Sequence, residues 1–334
     1  MTTRIGINGF GRIGRSFLRQ SLTSPDIEVV AINDLTDNAS LAHLLTYDSV
    51  WRQIHATVNH DESALIVNGR RISATAHPEP AQIPWGELGV DIVIEATGRF
   101  RTADQARGHL DAGARTVVMS SPGKGIDGMF VVGVNHTDFN PDVHTIVSNA
   151  SCTTNCLAPV AKVLHEGIGI RSGLMTTIHA YTGDQRLVDG NHKDPRRARA
   201  AAVNIVPTTT GAAAAVGQVL PELAGRLSGL AVRVPVPTGS LVDLVFTPER
   251  ATDPEEVNAL LREAAAGAHA GIIAYTEDPI VSSDIVMNSH SAIVDGLLTE
   301  QVGEQIKVIA WYDNEWGYSH RLLDLTTHIA ATLV

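Results

Sequence analysis

The stretch "TRIGINGFGRIGRSFLRQSLTSPDIEVVAIND", residues 3–34, decides the fold. It opens with a short β-rich run, "TRIGING" (3–9). "FGRIGRSFLRQSLTS" (10–24) then sets Ile13, Phe17, Leu18 and Leu22 on one helical face. "IEVVAIND" (27–34) is continuously apolar, as a strand covered on both faces must be. At the first strand–helix junction, Gly9-Phe10-Gly11-Arg12-Ile13-Gly14 spells G-x-G-x-x-G. That pattern alone says only glycine-rich turn. Here it follows a strand, opens a helix, and stands twenty residues before Asp34, which closes the next strand. In that context it is a dinucleotide fingerprint. Gly9 permits the tight turn, Gly11 lets the backbone approach a pyrophosphate, and Gly14 lets helix and strand pack closely. The amides of Arg12 and Ile13 lie at the helix N-terminus, where the partial positive charge favours phosphate. Asp34 is placed for a ribose 2′-hydroxyl, and its charge repels the extra phosphate of NADP. NAD is the expected cofactor.

Further buried-strand candidates are 91–98, 116–122, 129–135 and 143–149, with a helix over 102–114 between the first two. Strands alternating with helices predict a doubly wound parallel sheet, a Rossmann-type α/β domain. After about residue 150 the pattern changes. A helix candidate at 152–166 precedes "SGLMTTIHAYT" (172–182) and a long polar stretch, 183–204. Strands at 230–237, 240–248, 271–277 and 306–314, with a helix at 253–267, predict an α+β domain with a mixed or antiparallel sheet. A last helix, 318–334, carries Leu322, Leu325, Ile329 and Leu333 at helical spacing.

The chain has 334 residues, 44% hydrophobic and 18% charged, with a net charge of −11. That length suits two domains, and the acidic balance speaks against a nucleic-acid partner. No apolar run reaches the roughly 20 residues of a membrane span. "MTTRIGINGF" lacks a signal-peptide layout, so a cytosolic protein is expected.

Both cysteines stand in "SNASCTTNC", residues 148–156. A cytosolic pair rarely forms a structural disulfide. The spacing of Cys152 and Cys156 is not the C-x-x-C redox motif, and two cysteines without a nearby His pair do not make a zinc site. A nucleophile remains. Asn149 or Ser151 caps the helix that follows, whose apolar face is Leu157, Val160, Ala161 and Leu164, and Pro159 predicts a kink or irregular turn within it. Cys152 then sits at a helix N-terminus, where the dipole favours thiolate, and Cys156 one turn deeper reads as core. The base candidate is His179 in "TTIHAYT", near a strand end. Around it in sequence stand Thr182, Asp184, the arginines of "PRRAR", the hydroxyls and glycine of "PTTTG" (207–211), and Arg233 inside the apolar run "AVRVPVP". A largely buried arginine needs an anion.

"INGFGRIGR", "SNASCTTNC", "HAYTGDQR", "HKDPRRARAA", "PTTTGAA", "VRVPVPTGS" and "WYDNEWGYSHR" together resemble the phosphorylating glyceraldehyde-3-phosphate dehydrogenase family of bacterial type, from residue 3 to the last helix. The resemblance implies an NAD-binding Rossmann domain over 1–150, completed by helix 316–334, and a catalytic domain over 151–315. It implies that Cys152 attacks the aldehyde and that His179 is the base. Thr182 and Arg233, oriented by Asp184, would hold the substrate's C3 phosphate. Ser151, Thr153, Arg197, Thr210 and Gly211 would hold the attacking phosphate. On the cofactor side, Arg12, Ile13, Asp34, Thr97, Ser120 and Asn314 match, with Asn314 on the nicotinamide carboxamide. A cytoplasmic homotetramer working in glycolysis and gluconeogenesis follows from the same likeness.

The chain departs from the family pattern at four places. Gly190-Asn191 stands where NAD-specific members usually carry Leu-Pro, which makes secondary NADP use an expectation. "SSPGKGIDG" (120–128), His77 and Gly183 also differ from common residues. Within the class, erythrose 4-phosphate is the competing substrate. Outside it, the competing reading is a silent NAD- or RNA-binding protein on the same fold. The intact Cys152/His179 pair and the charge of −11 argue against it.

Overall fold

In the computed structural model, which describes residues 2–333, the chain divides into two units. The first comprises the chain up to Phe130, His136–Ser151, and the chain from Ser319 on. The second comprises Val131–Asn135 and Cys152–Tyr318.

The first unit holds, in order, β1 (Thr3–Asn8), α1 (Arg12–Ser21), β2 (Ile27–Asn33), α2 (Asn38–Thr46), β3 (Val58–Asp61), β4 (Ala64–Val67), β5 (Arg70–Thr75), β6 (Ile92–Glu95), α3 (Ala103–Asp111), β7 (Thr116–Met119), β8 (Gly128–Met129) and β9 (Ile146–Ser148). Its sheet runs β3-β4-β5-β2-β1-β6-β7-β9-β8. Every pair from β5 to β8 is parallel, and β3, β4 and β5 form an antiparallel meander at one edge. The apolar runs are explained by cover on both faces: Ile5, Ile7, Ile32, Ile94, Val117 and Val118 are wholly buried. Each such side chain contributes about 1.5–3 kcal/mol. Strand order reverses between β1 and β6, so the loop after β1 opens at the switch point where open α/β sheets take their ligands. α3 starts with a full capping box, Thr102 with Gln105.

The glycine loop is built as its spacing requires. Gly9 has φ +90°, and a Cβ there would lie 2.6 Å from the Thr97 nitrogen. A Cβ on Gly14 would lie 2.3 Å from the Gly9 carbonyl oxygen. At Gly11, the residue before α1, nothing stands within 4 Å of that position.

The second unit holds α4 (Cys152–Ile168), β10 (Ile170–Ala180), β11 (Val206–Thr209), α5 (Ala212–Val219), β12 (Leu227–Val234), β13 (Ser240–Pro248), α6 (Pro254–Ala266), β14 (Ile273–Thr276), β15 (Ala292–Asp295), β16 (Glu300–Val302) and β17 (Gln305–Tyr312). Its mixed sheet runs β11-β12-β10-β13-β17-β15-β14, with β16 paired to β17. α7 (Trp316–Thr332) ends the chain and belongs to the first unit from Ser319 on. Leu157, Val160, Ala161 and Leu164 form the buried face of α4.

One expectation fails. Residues 129–135 are not a strand: only Gly128–Met129 pairs, with β9. Val131–Asn135 is a turn instead, because Gly133 takes φ +83° and the Asn135 side chain accepts the Val131 N–H at 2.9 Å in place of a ladder partner. α4 runs continuously from Cys152 to Ile168 with Pro159 inside it.

The glycine geometry yields a paired test. Gly14→Ala is expected to cost about 1–3 kcal/mol of stability through overpacking, whereas Gly11→Ala stays within about 0.5 kcal/mol, both read by urea unfolding. Equal losses would contradict the assignment of Gly14 to packing and Gly11 to open approach.

Candidate active site

One end of the second unit's sheet gathers the reactive groups. β10 and β12 run parallel with His179 opposite Arg233, β13 starts at Ser240 on the other side of β10, and β17 ends there at Tyr312 opposite Ser240. The first turn of α4 brings Cys152 to this end, its Sγ 3.4 Å from His179 Nε2. The preceding Ala150 takes φ +57°, a left-handed turn that is uncommon outside glycine, between β9 and α4. His179 Nδ1 lies 2.7 Å from the Ala180 carbonyl oxygen. A carbonyl only accepts and the Arg233 guanidinium at the same nitrogen only donates, so the two contacts call for opposite tautomers; the base role of His179 uses the one with the proton on Nδ1 and the lone pair of Nε2 toward the thiol. The ring packs edge-on against Tyr312, centroids 5.9 Å apart. Tyr312 Oη in turn bonds the hydroxyls of Thr153 and Thr177, each at 2.8 Å.

Burial pushes the Cys152 thiol above its ordinary value, opposed by the Arg233 guanidinium and by hydrogen bonds from Thr153. Burial, then the neighbouring Arg233 charge, holds His179 down at about 3. The unliganded pair is therefore thiol and neutral imidazole. Cys156 is fully buried, its thiol pushed well up by burial, and donates to the Ala310 carbonyl at 3.8 Å.

Arg233 lies beside His179 Nδ1 and donates to the Ala180 carbonyl at 3.0 Å. Its Nε is buried without a partner, and among the described residues it forms no ion pair with a carboxylate. Asp184 does not pair with Arg233. Its carboxylate accepts from Arg197 at 2.6 Å and faces His192 Nε2 at 3.5 Å, because the 183–204 segment folds back so that Arg197 also meets Thr208 Oγ1 at 2.9 Å. Thr182 follows β10 two residues past its end and donates its N–H to Gln185 Oε1 at 3.3 Å. Thr153's hydroxyl is turned to Tyr312. Ser151 directly precedes Cys152. Thr210 and Gly211 lie beyond the far end of β11, whose register sets Val206, not Thr209, opposite Arg233. Neither hydrogen-bonds to the Cys152–His179–Arg233 group: Thr210 Oγ1 accepts from Ala212 N–H at 3.2 Å, and Gly211 precedes α5.

In the first unit a cleft of about 250 Å³ opens at the switch point, lined by Asn8, Gly9, Gly11, Asn33, Asp34, His77 and Thr97 among others. Asp34 accepts the Phe10 N–H at 2.8 Å and the Thr36 N–H at 3.0 Å, so it also ties down the glycine loop. The Arg12 side chain is engaged by Asp48 and stacks 3.9 Å over Trp51, leaving the amides of Arg12 and Ile13 at the start of α1 for phosphate. Ser120 directly follows β7, its N–H bonded to the Glu95 carbonyl at 2.9 Å. Asn314, in the second unit, follows β17, and its Oδ1 accepts from Ser240 Oγ at 2.9 Å.

Sequence reasoning missed the groups that hold these residues. Glu95 is buried beneath the cleft and accepts from Thr97 N–H at 2.8 Å, Thr97 Oγ1 at 2.5 Å and Asn8 Nδ2 at 2.6 Å. His109 Nε2 adds a fourth contact at 3.0 Å, its Nδ1 being taken by the Trp85 N–H at 2.9 Å. Four donors and no acceptor fit an ionised carboxylate. An acidic residue closing the apolar strand "DIVIE" was the available signal. Tyr312 and Ser240 carried none, because they meet the site from distant strands.

A Rossmann-type cleft and a cysteine–histidine pair beside an uncommitted arginine define a dinucleotide-dependent oxidoreductase that works through a cysteine nucleophile. Comparison with known proteins agrees. Residues 3–103 match the family model described as glyceraldehyde 3-phosphate dehydrogenase, NAD binding domain, and residues 151–314 match its C-terminal domain. The chain is 58% identical to glyceraldehyde-3-phosphate dehydrogenase of Kitasatospora aureofaciens, covering 98% of this chain and 99% of that relative. It is 55% identical to the enzyme of that name from Geobacillus stearothermophilus over 99% of both chains, and 54% identical to glyceraldehyde-3-phosphate dehydrogenase 2 of Streptomyces arenae over the whole of both. The chain belongs to the glyceraldehyde 3-phosphate dehydrogenase family, and NAD is its cofactor. Among the described residues no helix is long and apolar enough to cross a membrane.

The low His179 value has a signed consequence. Below its ordinary 6.5 the unfolded imidazole binds a proton that the folded one refuses down to about 3. Stability from this group is therefore fully present above 6.5 and lost as pH falls toward 3. Wild type is expected to lose stability relative to His179→Asn across that window and not above it, read by thermal unfolding at a series of pH values. A difference independent of pH would contradict the neutral imidazole.

Proposed function

We propose that the protein is a phosphorylating glyceraldehyde-3-phosphate dehydrogenase. It oxidises D-glyceraldehyde 3-phosphate with NAD and inorganic phosphate to 1,3-bisphosphoglycerate, in glycolysis and gluconeogenesis. The observation that carries this reading is the Cys152 sulfur lying 3.4 Å from Nε2 of His179.

His179 takes the thiol proton as Cys152 attacks the aldehyde carbon, which gives a thiohemiacetal. The Cys152 amide, at the start of α4, donates to the developing oxyanion. His179 passes its proton to the oxyanion, giving the hydroxyl, and, neutral again, takes it back as the hydride leaves the carbon, which leaves an acyl thioester on Cys152. NAD, when bound, supplies the hydride acceptor. The glycine loop fits it: Gly11 is open where Gly9 and Gly14 are closed. Covalent retention of the acyl group lets phosphate, rather than water, discharge the thioester, so the product is an acyl phosphate.

Arg233, with a buried and unpartnered Nε, is the cation for the C3 phosphate, and Thr182 adds its hydroxyl. Ser151, Thr153, Arg197, Thr210 and Gly211 are the groups for the attacking phosphate. Arg197 is held by Asp184 and Thr153 by Tyr312 in the unliganded chain, so this pocket forms by exchange of those partners. Ser120, Thr97 and Asp34 serve the cofactor, and Asn314 its carboxamide. Gly190-Asn191 leaves room for secondary NADP use. A cytoplasmic homotetramer completes the reading. The side chains of Leu187, Val188, Val203 and Ile205, exposed at 83%, 72%, 76% and 69%, support self-association through the 183–205 segment.

Protein mixed with NAD, phosphate and glyceraldehyde 3-phosphate should produce NADH in a phosphate-dependent manner. Cys152→Ser should remove this turnover, His179→Asn should lower it about 10²–10⁴-fold, and Cys156→Ala should keep it. No phosphate-dependent NADH would overturn the reading, as would turnover in Cys152→Ser. Preference for NADP would overturn the role given to Asp34.

A further inference from the structure

Ser240 is buried at the start of β13, between the ends of β10 and β17. The preceding Gly239 has φ +86°, and a Cβ on it would lie 2.4 Å from the Ser282 carbonyl oxygen, so the chain enters β13 by one route. Ser240 Oγ accepts the Ala180 N–H at 3.0 Å and donates to Asn314 Oδ1 at 2.9 Å. A hydroxyl has one hydrogen, and that hydrogen goes to Asn314. The side-chain amide of Asn314 is thereby turned so that Oδ1 faces inward and both Nδ2 hydrogens face away. Among the described residues Nδ2 has no partner.

Asn314 is held from its backbone side as well. Its neighbour Asp313 is buried, and accepts the N–H groups of Glu315 at 2.9 Å, Trp316 at 2.8 Å and Met287 at 2.9 Å, and the Thr238 hydroxyl at 3.2 Å. The backbone at 314 is thus fixed, and the side-chain orientation is left to Ser240. The same hydroxyl grips the N–H of Ala180, whose carbonyl oxygen lies 2.7 Å from His179 Nδ1. One side chain therefore ties the carboxamide contact to the residue that orients the base.

We propose that Ser240 is a positioning residue for the cofactor: it sets which atom of Asn314 is offered to the nicotinamide carboxamide. This rests on the assignment of Asn314 to that carboxamide. Without the Ser240 hydrogen bond the amide can rotate and present Oδ1 in place of Nδ2. Nicotinamide binding then loses its donor, while the adenosine and pyrophosphate contacts of the first unit stay as they are.

Calorimetric binding of NAD and of ADP-ribose, which lacks the nicotinamide ring, separates the two effects without turnover. Ser240→Ala is expected to weaken NAD about tenfold, the scale of one oriented hydrogen bond, and to leave ADP-ribose within about twofold. Asn314→Ala should do the same, and the double variant should bind NAD no more weakly than Asn314→Ala alone. If Ser240→Ala does not fold, Ser240→Cys, of similar shape and weaker hydrogen bonding, carries the same comparison. Equal weakening of NAD and ADP-ribose marks a merely structural serine and overturns the inference, as do unchanged NAD affinity or additive losses in the double variant. An Asn314→Ala that binds NAD normally overturns instead the carboxamide assignment beneath it.

Discussion

The hydrogen bond from His179 Nδ1 to the Ala180 carbonyl, 2.7 Å long, is the contact on which the site depends. It holds the ring so that Nε2 meets the Cys152 sulfur, and with the proton on Nδ1 that nitrogen is a base. The bond is dependable because Ala180 is the last residue of β10, a strand paired on both sides with β12 and β13. The same strand end puts Arg233 next to His179 by parallel register, and it receives Ser240 through the Ala180 N–H. A mixed sheet thus acts as the jig for groups drawn from five separate parts of the chain.

Magnitudes decide the state of the cysteine. A helix N-terminus favours an anion by about 0.3–1 kcal/mol, at most about 2 in partly buried geometry. Taking a charge out of water costs several kcal/mol. Burial therefore wins at Cys152 in the unliganded chain, and at His179 burial and Arg233 act together. Both shifts favour the neutral forms of the pair before substrate arrives. Arg233, beside both groups, favours the thiolate form as it develops and disfavours imidazolium, so an anion that engages Arg233 adjusts both at once.

What could be read from the chain alone follows physical lines. The β1–α1–β2 unit was legible because three glycines each answer a different steric demand and the flanking runs have clear periods. The Cys152 and His179 elements were legible for the same reason. The failures have causes. Residues 131–135 carry strand-like apolar composition, yet Gly133 and the Asn135 side chain turn them. The meander β3–β5 has short edge strands without a strong period, and the alanine-rich α5 has no amphipathic face to announce it. Asp184 was assigned to Arg233 by family likeness, while the fold of 183–204 delivers it to Arg197. Tyr312, Ser240 and Glu95 act through residues 60 or more positions away or through a buried network, and no local pattern encodes such contacts.

The central claim is that Cys152, deprotonated by His179, carries the acyl group. The direct measurement is peptide mass spectrometry of protein quenched in acid after mixing with glyceraldehyde 3-phosphate and NAD, with phosphate left out. The account predicts a phosphoglyceroyl adduct on Cys152, dependent on NAD and discharged when phosphate is added before the quench. An adduct on Cys156, or a Cys152 that stays unmodified while NADH is formed, would contradict it.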